Sequence, residues 1–233
     1  MTVLKPDLEA AVKETFRAQW SQRDGQVVPE PEDLQLGNDA VNLDATVLYA
    51  DIASSTSLVE SYKPWFAAEI YKTFLSCAAK IIKDENGVIT AYDGDRVMGV
   101  YIGELKNTRA VRTALRIKTA VEQVVQPALQ AQYTNNRFYL RHVVGIDTSK
   151  VLVSRIGVRN DNDLVWVGRA ANYAAKLCAL NEGFATYITH SVYDNMADRV
   201  KYGLTGANMW KPYTWTSMNK FSIYASNYHW TEL

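Results

Sequence analysis

The segment "NGVITAYDGDRVMGVYI", residues 86–102, constrains the fold most. Two short runs rich in Val, Ile and Tyr flank Asp93-Gly94-Asp95, a spacing that predicts a β-hairpin closed by a tight acidic turn. Long amphipathic helices are expected on either side. One starts near Pro64, a residue suited to a first helical turn, and continues through "WFAAEIYKTFLSCAAKII". The other covers "NTRAVRTALRIKTAVEQVVQPALQAQY" and is disturbed at Pro127. Strands "FYLRHVVGID" and "KVLVSRIGV" follow, then a short strand around Val165 and a helix from near Gly168 through "RAANYAAKLCAL". Strand "ATYIT" and a short helix near Val192 come last. Two hairpins interrupt the βαβ alternation, which favours an α+β sandwich with a mainly antiparallel sheet over a doubly wound fold.

Ahead of these elements, Leu8, Ala11, Val12, Phe16 and Trp20 recur at helical spacing, and "SQRDGQVVPEPEDLQLGNDAVN" reads as a linker. The expected division is residues 1–43 as helix and linker and residues 44–233 as one main domain whose first strand is "ATVLYADI". The segment from Tyr202, with Trp210, Trp215 and Trp230, is too aromatic for a disordered tail and should pack on the body or on a partner chain. Lys+Arg and Asp+Glu balance at 25 each, so net charge supports neither nucleic-acid nor polybasic membrane binding. Cys77 and Cys178 lie in helix-like segments without metal-ligand spacing and read as reduced, buried thiols. With no signal-peptide or membrane-spanning apolar run, the expectation is a soluble cytoplasmic protein.

The chemistry starts at "TVLYADIASSTSL", residues 46–58, where an apolar strand ends in Asp51 and opens into a loop of small residues. Taken singly, Asp51 and Asp95 are ordinary cap or turn aspartates. Two carboxylates at adjacent strand ends, however, can hold hard divalent ions and leave coordination sites for substrate phosphates. Ile52 to Thr56 ("IASST") have small side chains and backbone N–H groups ahead of a helix, which makes Ala53, Ser54, Ser55 and Thr56 a candidate phosphate nest.

"VLYADIASSTSL", "YDGDRVMGVY", "VVGIDTSKVLVSRIG" and "VWVGRAANYAAKL" resemble, in order and spacing, the successive blocks of the class III nucleotidyl cyclase catalytic domain over roughly residues 44–190. The resemblance implies a ferredoxin-like α+β core and a head-to-tail homodimer with composite active sites. It also implies conversion of a nucleoside triphosphate to a 3′,5′-cyclic monophosphate and pyrophosphate. Carried over position by position, Asp51, Asp95 and the Ile52 carbonyl bind two divalent cations, Mn2+ or Mg2+. Gly168 and Asn172 come from the opposite subunit, where the asparagine orients the ribose. Lys176 stands where the family has an arginine that stabilises the phosphorane. The i, i+4 spacing keeps Asn172 and Lys176 on one helix face, but lysine loses bidentate geometry, and a solvated helix residue is the alternative reading. Among the basic residues Arg141, Lys150, Arg155 and Lys211, the family's downstream triphosphate lysine falls nearest Lys211.

Departures from the family point to the substrate. The positions that read a purine hold Ala91 and Val165, so neither adenine nor guanine has its usual hydrogen-bond partner. Tyr49 shares the face of Asp51, and Tyr92 and Trp166 neighbour the two vacant positions. A smaller pocket with one or two polar handles suits a pyrimidine. In this the chain is similar to the bacterial pyrimidine cyclases of the Pycsar anti-phage systems, which work with a separate effector responding to cyclic UMP or cyclic CMP. The resemblance favours UTP. Two alternatives stay open: an adenylate or guanylate cyclase with an unconventional base site, and a catalytically inactive nucleotide-binding homologue.

Overall fold

A computed structural model of the chain describes residues 4–158, 161–180 and 182–233. One sheet organises the molecule, in the order β3-β4-β2-β5-β7-β9-β8, with β1 beside β2 and β6 beside β5. Its centre is β2 (Asp39–Ile52) against β5 (His142–Val158), an antiparallel ladder running from Ala40↔Ser154 to Ile52↔His142. The acidic hairpin is β3 (Val88–Asp93) and β4 (Arg96–Ile102), with Gly94 supplying φ +61° at the turn. Strands β6 (Asp161–Val167), β8 (Lys211–Trp215) and β9 (Phe221–Ser226) also pair antiparallel; only β1 (Ser21–Asp24) on β2 and β7 (Thr186–Thr189) on β5 are parallel among the described strands. The mainly antiparallel α+β architecture expected from the sequence is therefore present.

Both faces of the central strands are covered, which is why β2 reads as a continuous apolar run. Leu48, Ala50 and Ile52 pack beneath α3 (Pro64–Asp84) and α4 (Lys106–Ala120), where Phe74 and Leu115 are fully buried. Each large side chain buried this way contributes about 1.5–3 kcal/mol. On the opposite face Val41, Leu43, Ala45 and Val47 meet α6 (Arg169–Cys178) through Ala170, Ala171 and Ala174. The contact is close: a Cβ at Gly145 would lie 2.2 Å from the Ala174 carbonyl oxygen, and one at Gly168 2.9 Å from that of Lys150. Small residues on helix and strand thus set the height of α6 above the sheet.

Several elements differ from expectation. Helix α1 (Leu4–Arg17) forms, but all of it is exposed, Phe16 to 86%. The segment expected to be a linker contains β1 and buries Val28 and Leu34 against the α6-side core. Strand β2 begins at Asp39, ahead of residue 44. The two strands expected around 138–158 are one, because Ser149 and Lys150 continue the ladder opposite Ala45 and Asp44, while residues 138–141 precede it. Pro127, which lacks an N–H, leaves a π-helical turn at Val121–Val125 between α4 and α5 (Gln126–Gln132). The aromatic C-terminal segment packs on the body: Trp210 and Trp215 are buried, and the Trp230 carbonyl accepts a hydrogen bond from Thr119 Oγ1 at 2.6 Å. Cys77 and Cys178 are free thiols, Cys178 buried. Among the described residues no helix is long and apolar enough to cross a membrane.

Candidate active site

Asp51 and Asp95 meet at one end of the sheet. Asp51 occupies the last positions of β2, directly opposite Arg96 of β4, and Asp95 is in the adjoining β3–β4 turn. Burial, followed by the negative charge of the neighbouring Asp95, pushes Asp51 up to about 6. The Asp95 Oδ2 atom is buried and has no hydrogen-bond partner. Two mutually repelling carboxylates with a buried oxygen unengaged fit a bound cation, whose charge would relieve both. Among the described residues no three His, Cys, Asp or Glu side chains converge on a point, so further ligands there would be backbone carbonyls, water or substrate.

Helix α2 (Ser55–Ser61) follows at once. Ser54 enters it with φ 60° and ψ 36°, a left-handed conformation that turns the chain sharply after Asp51. Ser55 and Thr56 lie in its first turn, where N–H groups lack intrahelical acceptors. Ala53 departs from the expected nest, because its N–H donates to the Arg141 carbonyl at 2.9 Å and extends the β2–β5 ladder by one residue. Beside the loop is a cavity of about 540 Å³ lined in part by Ser54, Ser57, Arg137 and Arg141. Lys211 is elsewhere: it starts β8, with Nζ 5.9 Å from the Phe184 ring centre. Four strand spacings, roughly 19 Å, separate β8 from β2. Arg155 is tied to Asn162 Oδ1 and the Leu34 carbonyl, and Lys150 is exposed opposite Asp44.

The residues expected around a base divide. Tyr49, Ala91 and Trp166 are partly buried against the α6-side core. Tyr92 is 57% exposed, and Val165, between Leu164 and Trp166 on β6, points to the other face. Asn172 and Lys176 are both exposed on α6. Lys176 Nζ lies 4.0 Å from Met218 Sδ and has no carboxylate within salt-bridge distance among the described residues. The far end of α6 is tied to β2, where Cys178 Sγ donates to the Tyr49 carbonyl at 3.0 Å.

Over 228 residues the chain is 52% identical to a uridylate cyclase of Xanthomonas perforans, covering 97% of this chain and 98% of that one. It is 53% identical over 230 residues to a uridylate cyclase of Burkholderia cepacia, covering 98% and 99%. The chain belongs to the uridylate cyclase family. No family model matches it. Among solved structures, the adenylyl cyclase CyaB of P. aeruginosa superposes with a TM-score of 0.68 at 21% identity, over 83% of this chain and 98% of that one, which is a likeness of fold. The core is that of the class III cyclases.

Two residues at the site, Arg137 and Tyr71, carried little sequence signal, whereas Arg96 is marked by its place directly after Asp95. Arg137 lies in an irregular loop whose placement depends on where α5 ends. Tyr71, on α3, has its hydroxyl pKa raised by burial and by the charges of Asp95 and Asp51. Arg96, adjacent to Asp95 in sequence, pairs with Asp93 at 2.7 Å while its guanidinium covers the Tyr49 ring.

Proposed function

We propose that the protein is a pyrimidine nucleotide cyclase that converts UTP to 3′,5′-cyclic UMP and pyrophosphate as a head-to-tail homodimer. The full-length likeness to uridylate cyclases at 52–53% identity carries this reading. In it, Asp51, Asp95 and the Ile52 carbonyl would hold two divalent cations. When bound there, Mn2+ or Mg2+ would supply the charge that lowers the pKa of the ribose 3′-hydroxyl and offsets that of the triphosphate. Ser54, Ser55 and Thr56 offer hydroxyls and first-turn N–H groups to the phosphates, with Arg141 and Arg137 beside them. Asn172 of a second copy orients the ribose. Lys176 of that copy, with no carboxylate in salt-bridge distance among the described residues, balances charge at the α-phosphorus as the 3′-oxygen bonds to it and pyrophosphate leaves. Lys211 reaches the triphosphate only from the second copy.

Tyr49, Ala91 and Trp166 form the wall for the base. They offer aromatic surface and the Tyr49 hydroxyl but no carboxylate or lysine for a purine edge, which favours uracil. The product serves as a second messenger in bacterial anti-phage defence, read by a separate cyclic-nucleotide-responsive effector; the family resemblance supports this role. Incubation with UTP and Mn2+, with products resolved by mass spectrometry, tests the reaction. The wild type should yield cyclic UMP, and Asp51→Ala should bind UTP without turning it over. A wild type as inert as Asp51→Ala would contradict the reading.

A further inference from the structure

Asp147 is a fully buried carboxylate in the middle of β5, opposite Val47 of β2. Burial raises its pKa, and three groups pull it back: the Thr189 hydroxyl, the Arg169 guanidinium and a backbone N–H. Thr189 Oγ1 donates to Oδ1 at 2.5 Å. Arg169 Nε donates to Oδ2 at 3.0 Å and its Nη2 to Oδ1 at 3.4 Å. The same Nη2 donates to the Thr148 carbonyl at 2.7 Å and to Ser191 Oγ at 3.3 Å. Two residues along the strand, Ser149 Oγ accepts the Ala170 N–H at 2.9 Å. The first turn of α6 is thus fastened to β5 by a side-chain cap and by an ion pair between the buried Asp147 carboxylate and the partly exposed Arg169.

An ion pair that needs a buried carboxylate is weak as a source of stability, since an apolar residue packed in its place often does as well. Its advantage is direction: a planar guanidinium bonded to a carboxylate permits one orientation. Arg169 opens the helix that carries Asn172 and Lys176 on its exposed face. At 1.5 Å per residue Lys176 is about 10 Å further along, so a tilt of about 10° at Arg169 moves it by roughly 2 Å. A displacement of that size is enough to spoil alignment with reacting atoms.

We propose that Asp147 and Arg169 are positioning residues: their ion pair sets the pitch of α6 so that Asn172 and Lys176 meet the substrate held on the other copy's Asp51 and Asp95. The proposal rests on the split site described above. Neither residue touches the substrate in this account.

Two singly disabled chains test it. An Asn172→Ala chain supplies only the metal half of a site, and an Asp51→Ala chain supplies only the helix half, so their mixture contains one complete site per heterodimer. Arg169→Lys, which keeps the charge at a partly exposed position, is added to one parent at a time, with Asp147→Asn as the second variant and thermal melts to confirm folding. On the helix-supplying chain either change should lower kcat about tenfold or more, while KM for UTP moves less than about threefold. On the metal-supplying chain the same change should leave the rate as it was. Equal loss in both placements would show a purely structural role, and no loss in either would remove the proposal. If the parents exchange subunits yet show no activity, the split site itself falls, and the proposal with it.

Discussion

The guanidinium carbon of Arg96 stands 5.1 Å from the centre of the Tyr49 ring, and Arg96 is also the direct cross-strand partner of Asp51. One arginine therefore joins the expected base wall to the expected metal ligand. A cation over an aromatic face at a partly buried site contributes about 1 kcal/mol. Tyr49→Leu, which removes the ring and the hydroxyl, should raise KM for UTP about tenfold and narrow the preference for UTP over ATP. Steady-state kinetics with both nucleotides will show whether preference and KM move together.

In metal-free protein Asp51 and Asp95 would repel each other, a functional arrangement that lowers stability. Asp51→Asn removes one charge at nearly constant shape. In metal-free buffer it should melt higher than the wild type by the equivalent of about 1 kcal/mol. It should also lose the rise in melting temperature that Mn2+ gives the wild type. A metal-free Asp51→Asn protein less stable than wild type would mean that the two carboxylates are not in conflict.

Ser54 adopts left-handed backbone angles, which for a residue with a Cβ cost about 1–2 kcal/mol. Glycine there relieves that strain but loses roughly 0.5–1 kcal/mol of unfolded-chain freedom, so Ser54→Gly should be neutral to slightly stabilising. A β-branched side chain fits that region worst, and Ser54→Val should destabilise by more than about 1 kcal/mol. Urea unfolding of both variants gives the comparison directly.

His142 is buried beside Phe74, its Nε2 without a partner, and burial reinforced by the charge of Lys118 pulls its pKa down to about 3. The imidazole is therefore neutral in the folded protein, whereas in the unfolded chain it takes up a proton below its ordinary value of 6.5. The unfolded state then binds more protons, and stability falls as pH drops. Between 6.5 and about 3 the wild type should lose stability relative to His142→Leu by about 1.4 kcal/mol per pH unit. Denaturation curves for the pair across that range, compared by difference, isolate this histidine from the carboxylates.

How much was readable in advance follows from what each feature depends on. The acidic hairpin, the strand ending in Asp51 and the helix carrying Asn172 are set by local pattern and turn chemistry, and they stand where the sequence places them. Val28 and Leu34 are buried from a segment with no periodicity, so only the tertiary fold reveals that it is packed. Arg137 and Tyr71 reach the site through the end of α5 and the rotation of α3, neither of which spacing encodes. The use of the Ala53 N–H by Arg141 depends on where the β2–β5 ladder stops, a boundary that residue type does not fix. Nothing in the sequence distinguishes Asp147 from the rest of its strand, because its partners Arg169 and Thr189 lie far along the chain.

The central claim is pyrimidine selection at a two-carboxylate cyclase site. An equimolar mixture of ATP, GTP, CTP and UTP, incubated with the protein and Mn2+ and analysed by mass spectrometry, puts the four bases in direct competition. Cyclic UMP as the dominant product is the predicted result. A cyclic purine as the dominant product would contradict it and would mean that Tyr49, Ala91 and Trp166 read a base in another way.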